Sequence, residues 1–195
     1  MGLWSIWIIT STSRPSSGSA IRKSASCKFR VSLNVSPVHF EQPHTFVQKI
    51  QDLIDTYKID PSLLTFEITE STYVNNPLAV NQVIRSLQNR NIQISMDDFG
   101  SGYSSLNILC SLEIDELKLD RAFLMEMPGH KKWQQQIVME QIAQLAKKMN
   151  MTTVAEGVET WEDEAFILKA GCDYGAGVLL TANLFVPLNL TEKYM

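Results

Sequence analysis

A chain of 195 residues can form one domain with a substantial core, and it is shorter than the roughly 250 residues of a usual eight-stranded α/β barrel. Its 17 basic and 21 acidic residues give a net charge of −4, which argues against binding to the backbone of a DNA or RNA duplex. The three cysteines are widely spaced and show no metal-ligand pattern, which favours a reduced, cytoplasmic compartment. The apolar run 3–9 is too short to span a bilayer, so we predict no membrane segment.

The first 28 residues differ in composition from the rest of the chain. Serines crowd residues 11–26, where neither a helical nor a strand periodicity is visible, and the apolar run before them is compatible with an isolated strand. We therefore predict an irregular segment over residues 1–28 and a single domain over residues 29–195.

From residue 29 onward, strand patterns and helix patterns alternate. The predicted strands are Phe29–Val35, Leu63–Ile68, Ile92–Met96, Ile114–Leu119, Thr152–Ala155 and Val178–Leu184. The predicted helices are Thr45–Tyr57, a helix that starts at Asn76-Pro77 and stops at Asn91, a short one at Leu106–Leu109, Trp133–Met149 and Trp161–Ala170. This alternation predicts parallel strands joined by right-handed crossovers.

The apolar stripes of two helices are assigned from their spacing. In the helix after Asn76 we expect inward-facing Leu78, Val83, Ile84 and Leu87. In the helix over residues 133–149 we expect inward-facing Ile137, Ile142, Leu145 and Met149.

Polar and charged side chains stand at one end of most of the predicted strands. They are Asn34, Glu67, Asp97, Asp98, Lys118 and Glu156. Because functional ends recur on successive strands rather than at a single switch point, the pattern favours a barrel over an open sheet. Parallel strands would bring these ends to one rim, and oxygen-rich clusters of this kind hold hard divalent cations.

The pair Asp97-Asp98 is the sharpest local signal. Neighbouring strand residues point to opposite faces, so both carboxylates reach one site only if the strand ends there. One aspartate can then bridge two cations while the other binds the second, as in two-metal phosphodiester chemistry. The alternative from these two residues alone is a helix N-cap acid beside a solvated one.

The other strand-end residues also have structural alternatives. Glu70 and Glu159 are compatible with the first turns of helices, where an acid complements the helix dipole. Lys118 and Asp120 are compatible with a structural ion pair, and Asn34 with a turn before Pro37.

Five segments together resemble one family, the EAL domain, a bacterial cyclic-di-GMP phosphodiesterase. They are Asn34-Val35-Ser36, Glu67-Ile68-Thr69-Glu70, Asp97-Asp98-Phe99-Gly100-Ser101-Gly102-Tyr103-Ser104-Ser105-Leu106, Lys118-Leu119-Asp120-Arg121 and Ala155-Glu156-Gly157-Val158-Glu159-Thr160. The resemblance runs from about Arg30 to Leu180, with the segments in the family's order. It implies a TIM-like (β/α) barrel that linearises cyclic-di-GMP to pGpG with two Mg²⁺ or Mn²⁺ ions.

The resemblance also implies a role for each matched residue. Asn34, Glu67 and Asp97 would bind one metal ion, and Asp97 together with Asp98 the other. Lys118 would orient the nucleophilic water, and Glu156 would act as a base or a second-metal ligand. Glu70 would anchor the loop Phe99–Ser105, while the residues that bind the nucleotide are left open.

The sequence departs from the family pattern at its start and near its end. No Glu-Ala-Leu strand precedes Asn34, so one metal-binding glutamate and the opening elements of the barrel are missing, and Ala176 stands where the family has Gln. We therefore expect a barrel that is incomplete at its N-terminal end, impaired binding at one metal site and weakened hydrolysis. The alternative is a catalytically inactive EAL-like module that acts by binding a nucleotide or a protein. Because an exposed sheet edge invites pairing with another chain, a homodimer is also expected.

Overall fold

A computed structural model of the protein describes residues 6–10, 29–101, 106–125, 131–177 and 186–187. These residues form one sheet of eight strands that lie side by side in the order in which they occur in the sequence. The strands are β1 Ile6–Thr10, β2 Phe29–Asn34, β3 Leu64–Thr69, β4 Gln93–Phe99, β5 Glu116–Leu119, β6 Thr152–Glu156, β7 Tyr174–Ala176 and β8 Val186–Pro187.

Helices connect the strands of the sheet. They are α1 Pro43–Tyr57, α2 Glu70–Asn75, α3 Pro77–Gln88, α4 Leu106–Ser111, α5 Lys132–Lys148 and α6 Trp161–Ala170, with short 3₁₀ turns at Pro37–Phe40, Pro61–Leu63 and Arg121–Phe123. Among the residues described, no helix combines the length and the apolar character needed to cross a membrane.

The sheet has the topology of an incomplete TIM-like barrel. Strands β2 to β7 pair in parallel, whereas β1 and β8 pair antiparallel at the two ends of the sheet. Within the described residues β1 and β8 are not neighbours, so the sheet does not close on itself. The predicted α/β class and the incomplete barrel are therefore confirmed.

Strand β1 lies within the segment for which the sequence predicts irregular structure. It pairs with β2 over its whole length, from Ile6 opposite Leu33 to Thr10 opposite Phe29. Its sequence, Ile-Trp-Ile-Ile-Thr, consists of residue types that favour strands but contains no acid. Since β1 runs antiparallel to β2, its C-terminal end also points away from the rim that Asn34 marks.

The agreement between predicted and observed elements is closest where local signals are strong. Helix α6 has the predicted bounds, and α3 begins at Pro77 after Asn76, whose side-chain oxygen accepts a hydrogen bond from the Ala79 backbone N–H. The predicted strand Val178–Leu184 lies outside the described residues. Among the described residues the last parallel strand is β7, which the sequence did not predict.

Two predicted helix faces are partly wrong. Leu78 is 86% exposed, and Val80 takes its place in the buried stripe of α3 with Val83, Ile84 and Leu87. On α5, Ile137 is 51% exposed, and the buried stripe begins instead at Met139. In both helices the residue that was wrongly predicted to face inward lies two positions before the first buried residue. Two positions correspond to about 200° around the helix, so the two residues lie on opposite faces.

The packing of the helices decides which strand residues face the inside of the barrel. Phe46 of α1 packs edge-on against Phe66 of β3, with ring centroids 6.2 Å apart, so Phe66 faces the helices. Alternation along β3 then turns Thr65 and Glu67 to the inside. The apolar core lies between the strands and the helices as one continuous cluster. The polar side chains of the strands lie on the inner face of the sheet, where they can form a site.

We predict that Gly100→Ala destabilises the protein more than Gly171→Ala. Both glycines have positive φ angles, 103° and 84°, and strain any other residue, but only at Gly100 would an added methyl group collide with a side chain, that of buried Phe123. In urea unfolding we expect a loss of about 1 kcal/mol for Gly171→Ala and at least twice that for Gly100→Ala. Equal losses would mean that the Phe123 ring moves aside freely.

Candidate active site

A buried lysine on β5 binds three carboxylates from three different strands. The Lys118 ammonium lies 3.0 Å from Glu67 Oε1, 2.9 Å from Asp97 Oδ1 and 2.9 Å from Glu156 Oε1. Lys118 is 2% exposed and Glu67 is 1% exposed, so two of these four charged groups are almost completely removed from water. The carboxylates come from β3, β4 and β6, at the C-terminal ends of parallel strands, where barrel enzymes place their chemistry.

Attraction to the carboxylates keeps the Lys118 ammonium charged despite its burial. Burial alone would lower the pKa of the Lys118 ammonium, but the surrounding carboxylates outweigh it and hold the pKa above its usual range. Burial raises the pKa of the Glu67 and Glu156 carboxyls, while Lys118 acts in the opposite direction on both. One ammonium therefore compensates only part of the negative charge at this rim.

A β-bulge brings the neighbouring residues Asp97 and Asp98 to the same site. Between Met96 and Phe99 the register of β4 shifts against β5, so that β4 has one more residue than its partner. Asp98 takes the left-handed conformation with φ 58°, which turns its side chain out of the normal strand alternation. The sequence argument required β4 to end at the aspartate pair for both carboxylates to reach one site. The bulge brings both carboxylates to the site while the strand continues to Phe99.

Three of the predicted residues form a group with the geometry of a cation site. The side chains of Asp97, Asp98 and Glu156 each offer a carboxylate oxygen, and these oxygens lie within 4.8 Å of one another. Burial and the Asp97 charge raise the pKa of the Asp98 carboxyl, which shows that negative charge is crowded here. An all-oxygen donor set with uncompensated charge fits a hard divalent cation such as Mg²⁺ or Mn²⁺.

Glu70 connects the start of α2 to the backbone that follows β4. It is 5% exposed, and its Oε1 accepts a hydrogen bond of 3.2 Å from the Gly100 backbone N–H. This contact joins the segment after β3 to the segment after Asp98. It agrees with the expectation that Glu70 anchors the following loop, of which residues 102–105 lie outside the described part of the chain.

Asn34 lies at the edge of the carboxylate group. It ends β2 and stands opposite Glu67 in the parallel register between β2 and β3. On the other side of β2, residues 6–10 offer no carboxylate, so the described part of the sheet supplies no replacement for the missing glutamate. The structure thus brings Glu67, Asp97, Asp98 and Glu156 around Lys118 and places Asn34 beside them.

One buried carboxyl on the inner face received no role from the sequence. Glu116 is 6% exposed and precedes Lys118 by two residues on the same strand, so the two side chains share a face. The alternation along β5 was the signal that could have identified it.

We predict that Lys118→Met destabilises the chain far more than Lys132→Met. Removing Lys118 leaves buried Glu67 without its cation, and we expect a loss of about 3–5 kcal/mol in the free energy of unfolding at neutral pH. The Lys132 side chain is 43% exposed and forms a single ion pair of 3.2 Å with Asp163, so its loss should stay below about 1 kcal/mol. Urea unfolding of both variants measures the difference, and similar losses would show that the Lys118 cluster does not stabilise the fold.

Two cyclic-di-GMP enzymes of Pseudomonas aeruginosa are similar to this chain in sequence. The bifunctional diguanylate cyclase/cyclic di-GMP phosphodiesterase MucR is 35% identical over 152 residues, which cover 78% of this chain and 22% of MucR. The cyclic di-GMP phosphodiesterase RocR is 30% identical over 149 residues, which cover 76% of this chain and 37% of RocR. The chain thus spans well under half the length of these relatives.

The fold comparison and the family comparison agree. The solved structure of the PaMucR phosphodiesterase in complex with c-di-GMP superimposes with a TM-score of 0.69 at 32% identity, covering 82% of this chain and 62% of that one. The sequence model of the EAL domain matches residues 16–182, and it begins before residue 29, where we predicted the domain to start. The chain belongs to the EAL domain family.

Proposed function

We propose that this chain is a cyclic-di-GMP phosphodiesterase domain that depends on divalent metal ions and hydrolyses its substrate to pGpG with weakened activity. The observation that supports it most directly is the group of carboxylates around Lys118 at the C-terminal ends of the strands. The relatives MucR and RocR carry this activity in their names, and MucR has the same fold. The same chemistry is proposed for this chain because the corresponding side chains converge on one rim.

The proposed roles are those that the family resemblance implies, and the convergence of the side chains supports them. Asn34, Glu67 and Asp97 would hold one Mg²⁺ or Mn²⁺ ion, and Asp97 and Asp98 the second. Bound ions would supply charge neutralisation at the scissile phosphate and lower the pKa of a bound water. The Lys118 ammonium would donate a hydrogen bond that orients the attacking water, while the partly exposed Glu156 carboxylate would accept its proton or serve as a further ligand. Glu70 holds the backbone at Gly100 in place beside them.

Weakened hydrolysis is proposed because one carboxylate is missing from the ligand set. Each lost carboxylate removes a bond and a negative charge that offsets the cations. Strand β1, on the side of β2 away from β3, contributes no acid, so one metal position lacks a carboxylate ligand. A phosphodiester displacement then lacks simultaneous stabilisation of the attacking and leaving oxygens, and its rate falls more than nucleotide affinity.

The same observation favours a second candidate function. Without the missing ligand the chain can retain the nucleotide-binding surface and lose turnover, as an EAL-like module that acts through nucleotide or protein binding. For a nucleotide-binding function of either kind we propose cyclic-di-GMP as the ligand, and for both candidates the cytoplasm as the location and a homodimer as the assembly. Size-exclusion chromatography with light scattering tests the assembly.

Asp97→Asn should abolish the residual hydrolysis. Asp97 touches Lys118 and belongs to both proposed metal positions, so we expect product formation to fall by about 100-fold or more. Chromatographic quantification of pGpG with Mg²⁺ or Mn²⁺ present measures it. Asp55→Asn is the control, because Asp55 pairs with Arg90 at 3.8 Å on the surface, and the activity of this variant should equal that of the unmodified chain. Turnover of the unmodified chain at the rate of an intact family member would show that another residue supplies the missing ligand.

Removing divalent cations separates the two candidate functions. With EDTA, the proposed phosphodiesterase should lose all hydrolysis, and its affinity for cyclic-di-GMP should fall, because the phosphate then faces uncompensated carboxylates. A binding module that uses contacts away from the carboxylates would keep its affinity in EDTA. Calorimetric titration with and without Mn²⁺ distinguishes these results.

A further inference from the structure

Glu116 lies on the inner face of the sheet below the carboxylate group. It is 6% exposed, and its Oε1 has no hydrogen-bond partner among the residues that the structure describes. A buried carboxyl oxygen without a partner lowers stability, because it has lost its contact with water and gained no replacement. None of the roles proposed above uses this group.

The surroundings of Glu116 connect it to Lys118. Burial raises the pKa of the Glu116 carboxyl, and the Ser95 hydroxyl, the Lys118 ammonium and Arg30 favour its charged form. Ser95 stands opposite Glu116 in the register between β4 and β5. The Lys118 ammonium is therefore close enough to act on Glu116, although it binds the carboxylates above.

The lysine side chain has the reach to exchange one set of partners for the other. Residues two apart on a strand are separated by about 7 Å and share a face. The four-carbon stem of lysine rotates freely and carries a compact charge. Rotation of the Lys118 side chain can thus move the ammonium from the upper carboxylates toward the free oxygen of Glu116 without a shift of β5.

Cation binding creates the need for this exchange. Glu67 and Asp97 each contact Lys118 through one oxygen, and both belong to the proposed ligand set. A divalent cation placed on these carboxylates repels the ammonium beside it and competes for the same oxygens. Without a further negative charge the buried ammonium would lose much of its compensation.

We propose that Glu116 is the positioning residue that receives the Lys118 ammonium when cations occupy the carboxylates above it. Glu116 then holds the ammonium at the floor of the site, where it faces the bound water. The part of this inference that concerns metal ions rests on the proposed function. The exchange itself does not, because removing one carboxylate partner of Lys118 by mutation also leaves the buried ammonium without part of its compensating charge.

The metal-free test is a double-mutant cycle on thermal unfolding in EDTA. Asp97→Asn removes one partner of Lys118, and Glu116→Gln keeps the shape of Glu116 without its charge. In the unmodified chain we expect Glu116→Gln to change the melting temperature by about 1 °C or less. In the Asp97→Asn background we expect the same substitution to lower the melting temperature by about 4 °C more than it does in the unmodified chain. Additive shifts would overturn the proposal, because they would mean that Lys118 does not turn to Glu116.

A matched control excludes a general effect of removing a buried carboxyl. Glu164 on α6 is also 6% exposed and lies outside the site. Glu164→Gln should shift the melting temperature by the same amount with and without Asp97→Asn. A coupling as large as that of Glu116→Gln would show that the effect does not come from Lys118 and would overturn the proposal.

The metal-loaded test measures Mn²⁺ affinity by calorimetry. In Glu116→Gln the ammonium keeps competing for Glu67 and Asp97, so we expect Mn²⁺ to bind about tenfold more weakly, whereas Glu164→Gln should bind as the unmodified chain does. Unchanged affinity in Glu116→Gln would contradict the proposal. If the unmodified chain binds no Mn²⁺, the proposed function fails, and the metal-free cycle still decides the role of Glu116.

Discussion

The buried ammonium of Lys118 is the constraint on which the rest of the site depends. Three carboxylates from separate strands could not lie this close together without a cation among them, because their repulsion inside the barrel would be larger than at the surface. Their positions therefore fix the relative heights of β3, β4, β5 and β6. Such an ion cluster adds little net stability compared with an apolar core, but it selects one register of the sheet.

The bulge in β4 solves a second geometric problem. A regular strand would turn one of two consecutive aspartates toward the helices, where an unpaired charge is costly. The extra residue and the left-handed conformation of Asp98 direct both carboxylates to the rim, and Phe99 returns to the buried layer at 1% exposure. The Gly100 N–H then meets Glu70, so the irregular backbone is held by a hydrogen bond directly after it. The strain lies where the proposed chemistry needs it.

The sequence predicted the parts of this structure that depend on local patterns. The alternation of strands and helices, the bounds of α6 and the start of α3 follow from periodicity and capping, which act over a few residues. The set of site residues followed from the polar ends of the strands and from the family resemblance. The mistaken burial of Leu78 and Ile137 arose because several apolar residues on one helix fit more than one stripe, and only the packing partner decides between them. The antiparallel pairing of β1 depends on contacts between distant segments, which one sequence does not reveal, whereas Glu116 was missed although the alternation along β5 places it on the face of Lys118.

The strand order of the sheet has a consequence for the way the protein reaches its folded state. Each of the strands β2 to β8 pairs with the strand before it in the sequence, so no ladder among the described residues waits for a distant segment. During synthesis on the ribosome, every new strand would find its partner already outside the exit tunnel. The Lys118 cluster is complete only once β6 has formed, because its members span β3 to β6 and the final carboxylate, Glu156, emerges well after the lysine. Before β6 docks, Lys118, Glu67 and Asp97 would remain hydrated. The polar interior would therefore form only when β6 joins the sheet.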